Sequence, residues 1–258
     1  MPVFGPGFSR RLLAAASALT LTGSAGAQKR APDTTSEGPD IPHQTVKATL
    51  ADGKEHKCSE QRPQDFLIRK NWFPATTNAD EIKAAKALFQ QSIDFRTKNY
   101  GHFPGFGSAK DNKKAPAQNA KLTTFMGVGI QINERVIPAL KCVEAALIAG
   151  HLDAEYKPGA LSGLRLKNSY RGAEISNHVY GIAIDIDPNQ NTCCSCVAPW
   201  PDHPLCKKKV ASVYERMKMP RSWVIVFERY GFYWLGHDVL QDTMHFEFLG
   251  DPGKIVED

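Results

Sequence analysis

The stretch "SNHVYGIAIDID", residues 176–187, places a histidine and two carboxylates in a run that otherwise predicts a buried β-strand. Isoleucine recurs at every second position from 182 to 186, which is the period of a strand. Asp185 and Asp187 then lie together on the opposite face. We expect one face to enter a core and the other to present these carboxylates near His178.

A second stretch, "FERYGFYWLGHDVLQDTMHFEFLG" at residues 227–250, ends in a similar pattern. His245 and Glu247 fall on one face of the predicted strand, and Phe246 and Phe248 fall on the other. Two such strands can bring His178, a carboxylate and His245 to one point. The sequence therefore predicts an α+β domain, in which a small antiparallel sheet carries metal ligands and helices flank the sheet.

Two neutral imidazoles and one carboxylate form the ligand set of many catalytic zinc sites, which keep a fourth position open for water. The residues alone leave both Asp185 and Asp187 as candidates for the carboxylate ligand, because they share a face of the predicted strand. Hydrolysis also requires a carboxylate outside the ligand set to accept the proton of water and pass it to the leaving amine. Asp242, three residues before His245, is the predicted base, and Glu247 is the alternative.

At these residues the chain resembles a family. "SNHVYGIAID" and "DTMHFEF" are similar to motifs of the zinc peptidases that act as D-alanyl-D-alanine carboxypeptidases and L-alanyl-D-glutamate endopeptidases on the stem peptides of bacterial peptidoglycan. "GFYWLG" and "TTFMGVGIQINERVIPALKCVEAAL" are similar to other parts of that family, so the resemblance covers about residues 120–250. It implies the fold of the hedgehog and D-Ala-D-Ala-peptidase proteins.

The resemblance implies Zn²⁺ bound by His178, Asp185 and His245, with Asp242 as the general base. It also implies that Arg171, in "NSYRGAEISNH", binds a substrate carboxylate or the developing oxyanion.

Three further residues are predicted to contact substrate. Ser176 would orient its turn or a polar group of the substrate, Trp234 would line the cleft, and His237 would touch the bound peptide. The chain departs from the family pattern at Leu235, where glycine is usual, and at Asp187, where asparagine is common. A cysteine-rich insertion after the first metal motif is expected to alter substrate preference.

Residues 1–27 have the pattern of a secretory signal peptide: Arg10 and Arg11, the apolar run "LLAAASALTLTG", and "AGA" before the cleavage site. The apolar run is too short for a permanent anchor. We therefore expect a periplasmic or extracellular protein without stable membrane insertion. Removal of the signal lowers the net charge of +5 by two, to +3, which gives no reason to expect nucleic-acid binding.

All six cysteines follow residue 27, and an even number in an exported chain favours disulfides. Four of them lie in "CCSCVAPWPDHPLC", residues 193–206. Their pairing cannot be deduced from the sequence, and with His203 they leave a second metal site as the alternative.

The predicted organisation is a flexible linker at 28–47, an N-terminal extension at 48–119 that packs on the catalytic domain, and the zinc peptidase domain at 120–258. Helices are predicted at 77–101, with Asn78 or Asp80 as N-cap and Gly101 after the end, at 132–150, with Pro138 in the first turn, and at 206–219.

The sequence thus predicts a monomeric, secreted zinc peptidase that hydrolyses an amide bond in peptidoglycan stem peptides, of the carboxypeptidase or the endopeptidase type. The alternative is a catalytically silent zinc module that binds cell walls or signals. Asp242 favours catalysis, because a binding module needs no proton acceptor beside an open metal position.

Overall fold

The computed structural model describes residues 39–168, 174–197 and 199–257, which belong to one compact unit. The predicted signal peptide, most of the predicted linker and Arg171 lie outside the described residues. Within the described ranges, no helix is both long enough and apolar enough to cross a membrane.

The strands of the described residues form three antiparallel sheets. The first sheet has the order β1-β2-β9, the second is the β3-β4 hairpin, and the third has the order β5-β6-β8-β7. The strands are β1 Lys47–Thr49, β2 Glu55–Cys58, β3 Ala120–Phe125, β4 Val128–Asn133, β5 Leu161–Ser162, β6 Ala183–Ile186, β7 Phe232–Trp234, β8 His245–Phe248 and β9 Val256–Glu257.

The α-helices are α1 Ala79–Tyr100, α2 Ile137–Ala149, α3 Pro204–Lys207 and α4 Arg221–Arg229. Short 3₁₀ helices occupy Asp65–Leu67, Arg69–Trp72, Pro116–Asn119, Leu152–Ala154, Trp200–Asp202, Val213–Arg216 and Leu235–His237. Helices and small antiparallel sheets together confirm the predicted α+β class.

Two of the three predicted helices are confirmed, because their start and stop signals are local. The Asn78 side chain accepts hydrogen bonds from the backbone N–H groups of Asp80 and Glu81, and α1 ends at Gly101. Helix α2 has Pro138 in its first turn, where the missing N–H would be unpaired in any case, and ends before Gly150.

The third predicted helix, at 206–219, is wrong. Only one turn of α3 and the 3₁₀ turn Val213–Arg216 fall in or near this range. The disulfide Cys194–Cys206 ties the start of the segment to a loop, and three successive lysines follow without an apolar face. The helix that does form, α4, begins after Pro220 and buries Trp223, Val224, Val226 and Phe227, the spacing of one helix face.

The strand predicted over 176–187 is also shorter than expected. Residues 177–181 form turns, and the strand is limited to β6, whose four residues are all buried. Because β6 lies between β5 and β8 and both of its faces are covered, the alternation of isoleucine and aspartate does not separate core from solvent. Asp185 of β6 faces a buried polar cluster instead.

The core of the molecule lies between this four-stranded sheet and the helices α2 and α4. The Phe227 ring of α4 stacks on Phe246 of β8 with centroids 4.3 Å apart, and Phe125 from the hairpin packs edge-on to Phe227. Phe246 and Phe248 therefore fix the apolar face of β8, as their spacing predicts. This packing turns His245 and Glu247 toward the opposite, polar side of the strand.

The N-terminal segment contacts the rest of the unit at several points. Cys58 of β2 forms a disulfide with Cys142 of α2, and β2 pairs with β9. Farther along the chain, Arg69 donates two hydrogen bonds, of 3.0 and 3.1 Å, to the carboxylate of Glu174. These contacts hold the N-terminal segment against the residues that precede His178.

Candidate metal centre

The register of two neighbouring strands brings the candidate ligands together. Asp185 of β6 lies directly opposite His245 of β8, and Ala183 lies opposite Glu247. Side chains at directly opposite positions of an antiparallel pair point to the same face. Asp185 and His245 are 3% and 4% exposed, so the pair lies in the interior.

His178 reaches the same point from the turn before β6. Its Nδ1 lies 2.6 Å from the carbonyl oxygen of Gly163, on the chain that follows β5. The end of β4 supports both segments, since Gln131 O accepts from Leu164 N and Asn133 N donates to Gly181 O. The loop at residue 163 requires glycine, because a Cβ there would lie 2.2 Å from Gln131 O.

Three potential ligand atoms converge. His178 Nε2 lies 3.2 Å from Asp185 Oδ2 and 3.2 Å from His245 Nδ1, and His245 Nδ1 lies 2.8 Å from Asp185 Oδ1. His178 Nδ1 donates to the Gly163 carbonyl, and the outer nitrogen of His245, Nε2, lies 3.1 Å from Glu247 Oε1. With both outer nitrogens protonated, the two inner nitrogens and the carboxylate all offer lone pairs to one position, which fits a bound cation.

The electrostatics agree with such a site. Burial lowers the pKa of His178, so its imidazole is neutral, as a ligand must be. Burial would raise the pKa of Asp185, but its contacts with the two histidines outweigh burial and hold the pKa far below the usual value. Burial would likewise lower the pKa of His245, yet hydrogen bonds to Asp185 and Glu247 and their negative charges raise it well above normal.

Asp242 lies on the loop that leads into β8. It is 8% exposed, and its Oδ1 has no hydrogen-bond partner among the described residues. Burial raises the pKa of this carboxyl to about 6, with the negative charges of Asp185 and Glu247 adding to the effect and His245 opposing it. A carboxylate with a raised pKa and an unpaired oxygen is suited to accept a proton near neutral pH.

Residues 170–248 match the sequence model of the family described as D-alanyl-D-alanine carboxypeptidase. The chain therefore contains a domain of this family. The match includes His178, Asp185, Asp242 and His245, and it does not extend over residues 120–169, where the sequence also suggested similarity. Neither a curated protein nor a solved structure matches the chain significantly.

Arg165 contacts the candidate metal centre, and sequence reasoning missed it. Its Nη2 donates to Asp185 Oδ2 at 2.5 Å, and its backbone N–H donates to His178 O at 3.0 Å. Its side chain is 41% exposed, so the cluster meets solvent beside this guanidinium. Nothing in the local pattern "GLRLKN" marks it, because Arg165 lies 13 residues before His178 and outside the family match.

A second missed residue, Arg96 of α1, reaches the site from outside the family domain. Its guanidinium is 1% exposed, lies over the rings of Trp72 and Tyr180, and donates to Asn177 Oδ1 at 3.0 Å. Asn177 in turn hydrogen-bonds Glu247, which holds His245. Burial lowers the pKa of Arg96, and the negative charge of Glu247 is among the groups that oppose this.

The structure places the remaining predicted residues as follows. Ser176 is buried, and its Oγ accepts from His178 N at 3.4 Å, so it contacts the turn that carries the first ligand. Trp234 is fully buried, donates to Thr243 O and stacks on Tyr214, which is a core position without an exposed ring. His237 is partly exposed and lies 3.0 Å from Glu228.

Asp187, the alternative ligand, is not part of the cluster. Its carboxylate accepts hydrogen bonds from the Tyr156 hydroxyl and from the backbone N–H groups of Gly159 and Ala160. It has a positive φ of 42°, which ends the face shared with Asp185 one residue after β6. The Asp187 carboxylate is buried and stabilises the turn that precedes β5. The family pattern indicates Asp185 as the ligand.

The cysteines are paired as Cys58–Cys142, Cys193–Cys196 and Cys194–Cys206. The expectation of disulfides in the cysteine-rich segment is thus confirmed. One of these pairs also belongs to a second potential ligand group, since Cys193, Cys196 and Asp242 each have a ligand atom within 4.8 Å of the others.

Proposed function

We propose that this protein is an exported zinc peptidase that hydrolyses an amide bond in peptidoglycan stem peptides. One observation carries the proposal: two buried imidazoles and a carboxylate converge in a carboxypeptidase-family domain, with a buried carboxylate of raised pKa, Asp242, near them. Three disulfides support export, because such bonds persist in oxidising compartments.

His178 Nε2, Asp185 and His245 Nδ1 would hold the zinc ion. Zinc at this position supplies a Lewis acid that polarises the scissile carbonyl and makes water nucleophilic at neutral pH. Glu247 fixes the orientation and tautomer of His245 by accepting from Nε2, and the Gly163 carbonyl does the same for His178.

Asp242 accepts the proton of the attacking water on its unpaired oxygen and returns it to the leaving amine. Arg165 is placed to bind the developing oxyanion or a substrate carboxylate, because its guanidinium lies against Asp185 and remains partly exposed. We assign the same type of contact to Arg171, which lies outside the described residues. Ser176 supports the His178 turn, and His237 is assigned a contact with the peptide.

The test is digestion of purified peptidoglycan by the mature protein, followed by mass spectrometry of the released fragments. We expect cleavage that chelation abolishes and added zinc restores. Asp242→Asn should lower kcat by about 10²–10⁴-fold with zinc content unchanged. Asp111→Asn, at an exposed carboxylate outside the cluster, is the matched control and should be fully active.

Fragment masses distinguish the possible bonds. Loss of a terminal D-alanine indicates a carboxypeptidase, whereas release of stem peptides from L-alanine indicates an endopeptidase. A protein that binds one zinc per chain and yet releases nothing from several wall types would overturn the proposal in favour of a catalytically silent wall-binding or signalling module.

A further inference from the structure

The Cys193–Cys196 disulfide lies against the loop that carries Asp242. Cys193 and Asp242 face each other in an antiparallel bridge, with Thr243 N donating to Thr192 O on one side and Ser195 N donating to Leu240 O on the other. The two short segments are therefore held together by their backbones. The sulfur atoms and a carboxylate oxygen of Asp242 lie within 4.8 Å of one another.

We propose that reduction of Cys193–Cys196 creates a second metal site, in which both thiolates and Asp242 bind a thiophilic divalent cation such as Zn²⁺ or Cd²⁺. Cation binding there occupies Asp242 and removes the general base from the peptidase site, so the pair acts as a redox-controlled inhibitory site. The inhibitory part of this inference depends on the proposed peptidase function, whereas the metal site itself does not.

A second observation in favour of a ligand is that the buried Oδ1 of Asp242 has no hydrogen-bond partner among the described residues. A buried carboxylate oxygen without a hydrogen bond is costly, and coordination by a cation would remove that cost. Two thiolates and one carboxylate are ligands that zinc accepts, with a fourth position for water. Tetrahedral zinc needs sulfur atoms about 3.8 Å apart, so the two sulfurs must separate after reduction.

Accessibility and loop length single out this disulfide. Cys193 is fully buried and Cys196 is partly exposed, so we expect an incoming thiolate to attack the bond at Cys196. The bond links residues only three positions apart, compared with 12 for Cys194–Cys206 and 84 for Cys58–Cys142. A short loop restricts the unfolded chain least, so this pair contributes least to folding.

The reaction is a thiol–disulfide exchange with a dithiol. One thiolate of the dithiol attacks Cys196 Sγ, the Cys193–Cys196 bond breaks, and Cys193 leaves as a thiolate. The second thiol of the reductant then displaces Cys196 and becomes a disulfide with the first. Two electrons and two protons pass to the cysteine pair, and binding of the divalent cation releases the two thiol protons.

The experiment uses the mature chain, reduced with a limiting amount of a dithiol and titrated with Cd²⁺ without oxygen. Thiolate-to-cadmium charge transfer in the ultraviolet reports sulfur ligation alone, so the His178 site does not contribute. We expect reduced wild-type protein to gain one sulfur-ligated cadmium per chain, and oxidised protein to gain none. Circular dichroism checks that the reduced protein stays folded.

Variants locate the site. Cys193→Ser/Cys196→Ser should abolish the charge-transfer band, whereas Cys194→Ser/Cys206→Ser, which removes the neighbouring disulfide, should retain it. Asp242→Asn should keep the band but weaken cadmium binding about tenfold or more. A band that survives in Cys193→Ser/Cys196→Ser, or binding that is unchanged in Asp242→Asn, would overturn the assignment.

Activity separates this inference from the proposed function. Peptidoglycan cleavage by the reduced wild type should be lost when the second cation binds and return after reoxidation, whereas Cys193→Ser/Cys196→Ser should be unaffected by both treatments. Cleavage that persists with the second site filled would overturn the inhibitory role. A protein that shows the band but never cleaves peptidoglycan would retain the metal site and lose the peptidase assignment.

Discussion

The carboxylate of Asp242 lies in a position that favours proton transfer at the expense of stability. Its pKa rises from 3.8 to about 6 on folding, so the folded chain binds this proton more tightly than the unfolded chain. Stability therefore falls as pH increases from about 4 to about 6 and stays low above that range. A shift of about two pKa units corresponds to about 3 kcal/mol at pH 8.

Asp242→Asn should consequently stabilise the metal-free protein while it lowers kcat. We expect the variant to gain about 3 kcal/mol in free energy of unfolding at pH 8 and about half of that at pH 5. Urea denaturation of chelator-treated protein at the two pH values measures the difference. An equal gain at both pH values would show that ionisation of Asp242 is not the cause.

Arg96 lies outside the family domain, and we expect it to contribute to stability and to zinc affinity. Replacing it by methionine would remove the donor to Asn177 and one of the positive charges that lower the pKa of Glu247. We expect Arg96→Met to lower the free energy of unfolding by about 3 kcal/mol and zinc affinity by about tenfold or more. Denaturant titration and zinc competition against a chelating dye measure the two effects.

Lys86→Met is the matched control for Arg96, because Lys86 is an exposed cation on the same helix. It should change stability by less than about 0.5 kcal/mol and leave zinc affinity unaltered. If Arg96→Met lost stability but bound zinc as tightly as the wild type, the contact through Asn177 would serve the core rather than the metal centre.

At the scale of elements, the turn between His178 and β6 depends on one glycine. Gly181 has a φ of 68°, and a Cβ there would lie 2.8 Å from the backbone nitrogen of Asn133. Gly181→Ala must therefore displace the turn from β4. We expect a loss of more than about 2 kcal/mol in free energy of unfolding, together with weaker zinc binding, since the turn carries a ligand.

Gly127 separates the cost of backbone strain from the cost of a steric clash, because it has a φ of 82° but open space around its Cβ position. Gly127→Ala should cost only about 1–2 kcal/mol, from backbone strain, and should leave zinc affinity unchanged. Thermal melts and zinc competition on both variants make the comparison. Equal zinc affinity in the two variants would contradict a role of Gly181 in positioning His178.

The predictions of helices are confirmed where the residues that start and end the helix are close together in the sequence. An N-cap at Asn78, proline at the start of α2 and glycines after both helices specify ends that neighbouring residues satisfy by themselves. The segment 206–219 failed because a disulfide to a distant residue and the absence of an apolar face outweigh helix propensity. Helix α4 was overlooked although its apolar spacing is present in the sequence.

For the whole molecule, the disulfide Cys58–Cys142 joins the N-terminal segment to α2 across 84 residues. By the loop-closure relation this bond should stabilise the chain by about 4–5 kcal/mol, and Cys194–Cys206, which spans 12 residues, by about 3 kcal/mol. Denaturation of the two paired cysteine-to-serine variants tests this order. A smaller loss for Cys58→Ser/Cys142→Ser would indicate that sheet pairing alone holds the segment.

The α+β class, two helices and the roles of His178 and His245 follow from the sequence, because motif spacing and strand period are properties of short stretches. The choice of Asp185 over Asp187 follows from the resemblance to the family. The three-dimensional structure was needed to show which disulfides form, that β6 is covered on both faces, and that Arg165 and Arg96 reach the cluster. These contacts join residues far apart in the chain, for example 81 residues for Arg96 and Asn177. Their partners are chosen by packing in three dimensions, which no local pattern encodes.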